Sequence, residues 1–499
     1  MREYKRFFQV VGPAAAALGL VLVLVAIQSS PSYAIPAFAR KYQTSCTTCH
    51  NDFPELNDFG EVFKKNGFKF PSDDETFVKE PPVLLGSKAQ KEAFPEAVYP
   101  GEIPGFVPVS FRYSGNFNWN AVLPRPLEAT GAFVPQTDMF VPNTFTIIGA
   151  GSMGPNLSFW VDNDISTGGS GANGGLGDGY LKYNDLGRIF HLPKNALNVR
   201  FGQFELDLPF TQARSIYPSN YDVYSQVAVG LTCAPEALAC QTTNNPFVLG
   251  TPQRGIEFGG YPNNGNFTWS VAIVDGTNSA YGAPPANTLT ARNTKDVYVR
   301  VSQKFNLERD PESRHAVQAA GPTGPRDHTS IRVGGFYYYG ENEFNYGGSL
   351  YQIPGIGTIK EPFWRAGGDL RFKYRKMELF GLGMVGHDTN HTVDFDNDTI
   401  APAHPVTYTG GFAGSNFWVL PWVITYMRYD FVNSPTDWAN GVSQYKTRNR
   451  FSPGVQVLAR ANIKLFGEYE YHWGQPYPTE SGTLFFRPNS FVAGIDYLF

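Results

Sequence analysis

Residues 111–120 read FRYSGNFNWN, and apolar or aromatic side chains alternate with polar ones along this stretch. Phe111, Tyr113, Phe117 and Trp119 fall on one face of an extended chain, and the residues between them fall on the other. The same alternation returns at 197–201, 267–273 and 463–473. The sequence therefore predicts a sheet with one apolar and one polar face, which by itself suits either a sandwich in water or a barrel in a membrane.

Two further features favour the membrane barrel. Short turns tend to alternate with long polar loops, as in outer-membrane barrels; the short turns are predicted at 152–156, 375–377, 420–422 and 461–462. The chain ends in IDYLF at 495–499, which resembles the C-terminal strand of bacterial outer-membrane proteins. Counting segments gives about 16 strands if 411–431 is divided at Pro421, because proline fits a turn better than a ladder. We therefore predict a mainly β fold, with a transmembrane barrel over 108–499 that encloses a lumen.

The composition excludes other classes of protein. Charged residues make up 17% of the 499 residues, and the formal net charge is -4. This leaves no basic surplus with which to neutralise phosphates, so nucleic-acid binding is not expected. Outside the N-terminus, no apolar run approaches the roughly 18 residues that a membrane helix needs, which excludes a helical membrane protein.

The N-terminus has the features of a secretory signal peptide. Basic residues at 2–6 precede an apolar stretch at 14–27, and Ser32 and Ala34 are the small residues that a signal peptidase reads. We expect residues 1–34 to be removed after Ala34; the alternative is an uncleaved anchor, for which the stretch is short. Export would place the cysteines in an oxidising compartment.

Residues 46–50 read CTTCH, the arrangement to which haem c is attached covalently. The spacing presents Cys46 and Cys49 on one turn to the two vinyl groups of the porphyrin, and His50 can then reach the iron as an axial ligand. The alternative is a structural disulfide beside a bystander histidine. Because the motif occurs once in the sequence, we predict one haem c.

The residues after the motif predict a helix that covers the porphyrin edge. Phe53, Leu56, Phe59 and Phe63 recur at helical spacing, with a proline at the start and a glycine at the end. Residues 35–107 are therefore expected to form a small helical haem domain and an irregular connector, and this domain is the candidate to plug the lumen.

The sequence does not determine the second axial ligand of the iron, because 51–107 contains no further His or Met. It comes from the barrel, from water or from a weaker donor. His472 shares parity with Glu468 and Glu470, so it faces inward and is a candidate ligand, although a lumen-lining role is the alternative. The other candidates are the histidines at 191, 315, 328, 387, 391 and 404 and the methionines at 139, 153, 377, 384 and 427.

A polar loop and a cysteine pair complete the predicted sites. If the turn at 375–377 is periplasmic, the next long loop is extracellular, and its imidazoles and carboxylates suit transient Fe(II) capture; a loop that is merely solvated is the alternative. The candidate iron-docking residues are His387, His391, Asp394, Asp396, Asp398 and His404. Cys233 and Cys240 are expected to close a local disulfide.

The N-terminal motifs resemble those of a known family. Phe38-Ala39-Arg40, the CTTCH motif and the following Phe, Asn and Gly residues as far as Phe68 are similar to the start of the fused monohaem cytochrome-porins of the bacterial outer membrane. This family includes outer-membrane iron oxidases. Lys41 and Tyr42 stand where the iron oxidases are expected to have Gln and Thr, which places the chain in the wider family.

The resemblance implies an N-terminal haem plug, a porin-like barrel, and electron transfer from an extracellular reductant such as Fe(II) to a periplasmic acceptor such as a soluble cytochrome. That activity would be an Fe(II):cytochrome c oxidoreduction without group chemistry. The competing function is a diffusion porin whose haem domain is a plug or sensor. A soluble two-domain cytochrome would need polar residues where the strands have Trp, Tyr and Phe.

Overall fold

The computed structural model describes 37–70, 74–78, 83–84, 88–95, 102–120, 137–167, 175–211, 215–225, 240–242, 245, 247–262, 265–276, 294–307, 329–345, 358–394, 399–402, 405–433, 437–439, 442–444, 448–473 and 489–499. The predicted signal peptide at 1–34 lies outside these residues.

The helices are short and lie before the barrel: α1 (Ala37–Tyr42), α2 (Asp58–Lys65), α3 (Asp74–Phe77) and α4 (Lys88–Ala93), with 3₁₀ turns at Cys46–Thr48 and Leu186–Phe190. No helix in the described part of the chain is long and apolar enough to cross a bilayer. The strands are β1 (His50–Asp52), β2 (Glu55–Leu56), β3 (Val83–Leu84), β4 (Glu102–Ile103), β5 (Val109–Asn120), β6 (Thr137–Met153), β7 (Leu157–Thr167), β8 (Leu176–Tyr183), β9 (Asn198–Phe204), β10 (Cys240–Thr242), β11 (Gln253–Gly260), β12 (Phe267–Val274), β13 (Asp296–Asn306), β14 (Ser330–Asn345), β15 (Thr358–Tyr374), β16 (Met377–Asp388), β17 (His391–Asp394), β18 (Thr399–Pro402), β19 (Val406–Leu420), β20 (Val423–Asn433), β21 (Asp437–Ala439), β22 (Val442–Gln444), β23 (Arg448–Arg460), β24 (Ile463–Trp473) and β25 (Ser490–Leu498).

Sixteen of these strands form one closed antiparallel barrel, which confirms the predicted number. The barrel strands are β5–β9, β11–β16, β19, β20, β23, β24 and β25, and pairing of β25 with β5 closes the barrel. Smaller sheets join β1 to β2, β3 to β4, β10 to β17 and β18, and β21 to β22. Closure leaves no free edge strand in the barrel wall.

The alternation of side chains is inside out compared with a protein that buries its apolar face. On β12, Thr268 and Ser270 are buried on the inner side, whereas Ile273 is 46% exposed on the outer side. Phe201 on β9 and Tyr471 on β24 are likewise exposed. A closed barrel with an apolar outer face is suited to lipid, so the structure selects the membrane barrel over the sandwich.

The four predicted short turns are all found at one end of the barrel, where β5 begins and β25 ends; we call this end the turn rim. Pro421 lies in the turn that separates β19 from β20, as predicted. The alternation of short and long connections is incomplete, because β8 and β9 are joined through 184–197 and β13 and β14 through 307–329 at the same rim. The opposite end is the loop rim.

One long connection enters the lumen instead of remaining outside it. The described residues 205–211, 215–225 and 247–250, here called the inner segment, join β9 to β11. Tyr217, Tyr221 and Phe210 pack in one cluster with inward-facing Phe380 and Phe412 of β16 and β19. The inner segment therefore gives one side of the lumen an apolar core, which sequence analysis did not predict.

Candidate functional site

The N-terminal segment, defined here as the described residues of 37–78, is organised by aromatic side chains. The ring of Phe38 is 5.1 Å from that of Phe63, and Tyr42 stacks on Phe70 at 4.1 Å. Phe68 joins the same cluster and stacks on Trp160 of β7 at 5.7 Å. The cluster thus holds α1 against α2 and both against the barrel wall.

The CTTCH motif lies on a turn that is fixed to α2 by one side chain. Cys46–Thr48 form a 3₁₀ turn. Asn57 caps α2 by accepting from the backbone N–H of Gly60 at 2.8 Å, and its Nδ2 donates to the carbonyl of Thr48 at 3.1 Å. A single asparagine therefore fixes the position of the helix relative to the motif.

The predicted helix begins later than the sequence indicates. α2 starts at Asp58, because Asn57 is its N-cap and the preceding residues form the β1–β2 hairpin. Phe53 consequently lies outside the helix, and its ring is 5.3 Å from the imidazole of His50. The expectation that Phe53 lies on the helical face is wrong, and this residue contacts the histidine instead.

The motif side chains have the chemistry that a covalently attached haem requires. Cys46 and Cys49 are free thiols, so the alternative disulfide is not formed. Burial raises the pKa of Cys46 to about 11 and that of Cys49 to about 12, which keeps both thiols protonated. Burial also lowers the pKa of His50 to about 4, and its Nδ1 has no hydrogen-bonding partner among the described residues. A neutral imidazole is the form that binds iron.

The three motif side chains line a lumen cavity of about 1610 Å³. This exceeds the roughly 300–1,000 Å³ of ordinary small-molecule sites. Tyr217 and Tyr221 of the inner segment line the same cavity, as do inward-facing residues of β5 and β24. Free thiols, an unpartnered imidazole nitrogen and open space beside them fit a haem held by Cys46, Cys49 and His50.

Inward-facing lysines of the barrel contact the N-terminal segment near the turn rim. Asp58 accepts from Lys304 of β13 at 2.6 Å and lies 3.7 Å from the Nζ of Lys373 on β15. Lys464 of β24 donates to the carbonyl of Phe53. Burial alone would raise the pKa of Asp58, but the two neighbouring ammonium groups outweigh burial and hold this pKa well below its usual range.

His472 lies on the inner side of β24 near the loop rim, where its parity predicts it. Its Nε2 is 3.2 Å from a carboxylate oxygen of Glu470. It is eight residues beyond Lys464, which corresponds to about 27 Å along a strand. The structure therefore does not bring His472 to the motif. Of the other candidates, Met139 and Met427 are exposed and Met384 lies in the apolar core.

The described residues do not assemble the predicted iron-docking site. The ring of His387 lies on the outer face of β16, stacked on Trp364 at 5.7 Å, because the ladder that pairs β16 with β19 continues past it. The Nδ1 of His391 is 2.9 Å from Glu361 instead. No group of three metal-binding side chains occurs among the described residues.

Other predicted site residues fall largely outside the described parts of the chain. Asp396, Asp398 and His404 lie outside them, and only the backbone of Asp394 is described, at the end of β17. Cys233 also lies outside, while the backbone of Cys240 begins β10. The disulfide between the two cysteines stays a prediction.

The barrel residues that contact the N-terminal segment were not predicted from the sequence. The alternation on β24 and β5 predicts that Lys464 and Arg112 face inward, and they do. It contains no signal for which part of the chain they contact, because that depends on how the segment is seated in the lumen.

No protein-family model matches the chain, and no curated protein does. The structure is similar to the outer membrane channel DcaP of Acinetobacter baumannii, with a TM-score of 0.47 and 11% identity over 78% of this chain and 96% of that chain. It is also similar to Salmonella typhi OmpF, solved in complex with daunomycin, with a TM-score of 0.47 and 10% identity over 78% and 97% of the two chains. A third similar structure is an anion-selective porin from Comamonas acidovorans, with a TM-score of 0.45 and 10% identity over 78% and 98%.

Proposed function

We propose that this chain is an outer-membrane electron-transfer protein of the fused monohaem cytochrome-porin type. One haem c on the N-terminal segment would receive electrons from an extracellular reductant, with Fe(II) as the first candidate, for a periplasmic acceptor. The observation that carries the proposal is that Cys46, Cys49 and His50 line the lumen cavity of a membrane barrel. The resemblance of the N-terminal motifs to that family supports it.

The barrel itself supports the outer-membrane location. Its outer face exposes Phe201, Ile273 and Tyr471. Closed barrels with such an apolar band cross bacterial outer membranes. Both ends of the barrel chain lie at the turn rim, so an N-terminal segment that folds in the periplasm would enter the lumen from that side.

The position of the haem in the lumen matters for electron transfer, because the apolar band that electrons must cross in such barrels is about 25 Å tall. When bound, the haem would supply a centre that accepts and releases one electron. Cys46 and Cys49 would hold it covalently and His50 would bind its iron, while the aromatic cluster around Phe63 shields the turn that carries them. Lys304 and Lys373 fix the segment through Asp58. A centre held inside the lumen is closer to the extracellular surface than one attached outside the barrel on the periplasmic side.

The test is stopped-flow spectroscopy on detergent-purified protein from cells with c-type maturation machinery. Rapid reduction of the haem after addition of Fe(II) is expected. The control is Cys46→Ala/Cys49→Ala, which should lack covalent haem but keep the heat-modifiable migration of a folded barrel. Protein without covalent haem, or a haem that Fe(II) does not reduce, would refute electron transfer from Fe(II).

A second candidate, solute diffusion, is favoured by the open lumen. Asn116, Asn118 and Glu468 give part of the cavity a polar wall, as a water-filled channel requires. Liposome swelling with small neutral solutes measures this activity. Fast swelling combined with a haem that does not respond to extracellular reductants would favour the porin, and slow swelling combined with fast reduction would favour the electron-transfer protein.

A further inference from the structure

The ring of Phe53 lies beside both the motif histidine and a barrel arginine. Its centroid is 5.3 Å from that of His50, with the ring planes inclined at 60°. The guanidinium carbon of Arg112 lies 5.2 Å from the same centroid, a distance that allows a cation–π interaction. Arg112 belongs to β5, so the barrel wall reaches the histidine through a single intervening ring.

Arg112 is itself held by the last strand of the barrel. Its Nε and one terminal nitrogen donate to the two carboxylate oxygens of Asp496 at 2.9 and 2.7 Å. Such a paired geometry fixes the plane of the guanidinium more firmly than one hydrogen bond would. The Asp496 carboxylate is 4% exposed and the Arg112 side chain 30% exposed, so solvent competes little for the carboxylate.

A third barrel residue, Lys464, contacts the backbone of Phe53. Lys464 lies directly opposite Asp496 in the register of β24 and β25, and its Nζ is 3.7 Å from that carboxylate. The same Nζ donates to the carbonyl of Phe53. The ring of Phe53 is thus contacted from β5 and its carbonyl from β24. Asp496 of β25, the strand that pairs with β5 to close the barrel, holds both contacting side chains.

We propose that Arg112 is a positioning residue for His50. With its plane set by Asp496, the guanidinium fixes the ring of Phe53, and this ring limits the orientation of the imidazole toward the iron. Groups that contact an axial histidine tune the metal through its orientation. The inference rests on the proposed haem function. It goes beyond that function by assigning a role in positioning His50 to the strands β5 and β25, whose pairing closes the barrel. The support for His50 is complete only when β25 pairs with β5.

The test is a double-mutant cycle on haem-loaded, full-length protein, with midpoint potential and the electron paramagnetic resonance spectrum as readouts. Arg112→Gln removes the cationic plane, Phe53→Leu removes the ring, and the third variant carries both substitutions. Each single substitution should move the spectrum and the potential in the same direction, and the double variant should move them no further, because the two residues act in series. The control is Arg300→Gln, whose carboxylate partner is Asp369, and it should leave both readouts unchanged.

The outcomes separate this inference from the proposed function. Absence of covalent haem in the unmodified chain refutes the proposed function. Covalent haem with readouts unchanged in Arg112→Gln, or moved equally by Arg300→Gln, overturns the positioning role alone. If Arg112→Gln does not form a folded barrel, Phe53→Leu decides, because that residue lies outside the barrel strands; unchanged readouts in this variant also overturn the inference.

Discussion

Asp58 is a single carboxylate that connects the N-terminal segment to two barrel strands. It begins α2 and faces Lys304 and Lys373. A carboxylate in the first turn also interacts favourably with the positive end of the helix. Because its side chain is 43% exposed, solvent screens these ion pairs, and we expect a modest contribution of about 1 kcal/mol or less.

Asp58→Asn should therefore make the N-terminal segment easier to cleave. Limited proteolysis of the Asp58→Asn variant at pH 7 is expected to be a few-fold faster than that of the unmodified protein. The folded-state pKa of Asp58 lies below the value of about 3.9 for an unfolded chain. Its contribution is thus fully present above about pH 4 and is lost as the pH falls further, so the difference between the two proteins should shrink in acid. Equal cleavage rates at pH 7 would contradict this role.

Helix α2 depends on close contact with the turn that carries the motif cysteines. A Cβ at Gly60 would lie 2.0 Å from the carbonyl oxygen of Cys49 and 2.9 Å from a methyl group of Leu56. The backbone oxygen cannot yield without moving the turn itself. The helix and the turn therefore fit together only with glycine at this position.

Gly60→Ala should disrupt the N-terminal segment while the barrel remains folded. The yield of covalent haem is expected to fall several-fold, measured by haem absorbance per folded barrel on heat-modifiability gels. Gly383→Ala is the matched control, because a Cβ there meets no atom within 4 Å. An unchanged haem yield in Gly60→Ala would show that the segment tolerates a shifted turn.

The inner segment is held by buried arginines of the barrel wall. Arg428 of β20 donates to the carbonyls of Ser219 and Asn220 and pairs with Asp430 at 2.6 Å. Its guanidinium also lies 4.2 Å from the ring centroid of Tyr221. Both members of the ion pair are fully buried, so loss of the arginine leaves a buried carboxylate with fewer cationic partners.

Arg428→Gln should destabilise the folded barrel by about 3 kcal/mol, the lower end of the range for breaking a buried pair. The measurement is the urea midpoint of unfolding in lipid vesicles. Arg375→Gln, on an exposed turn, should change the free energy of unfolding by less than about 0.5 kcal/mol. Equal midpoints for the two variants would show that the inner segment does not depend on Arg428.

The barrel elements were predictable because alternation and turn residues recur on strand after strand, and Pro421 marks a turn in both sequence and structure. The start of α2 was not predicted, because capping by Asn57 outweighs the helical spacing of Phe53 and Leu56. The inner segment has neither the alternation of a strand nor the spacing of a helix, so no local sequence pattern predicted that it enters the lumen. His387 was misassigned because the ladder extends further than the polar composition indicates.

For the whole molecule, the open cross-section of the lumen decides whether solutes can pass through the barrel. A 16-stranded barrel by itself leaves an aqueous channel. Here the inner segment occupies one side, and the N-terminal segment contacts Arg112, Trp160, Lys304, Lys373 and Lys464 around the turn rim. These contacts come from strands spread around the circumference, so the N-terminal segment obstructs the turn rim.

Deletion of 35–107 should therefore raise single-channel conductance several-fold in planar bilayers. The inner segment and the barrel wall remain, so any increase reports the N-terminal segment alone. Cys46→Ala/Cys49→Ala in the full-length chain is the control, because it lacks the thiols but keeps the segment, and it should conduct like the unmodified protein. Equal conductance of the deleted and full-length chains would mean that solutes already pass beside the segment. That outcome would support solute diffusion through the lumen, and the haem-reduction experiment would then decide whether electron transfer accompanies it.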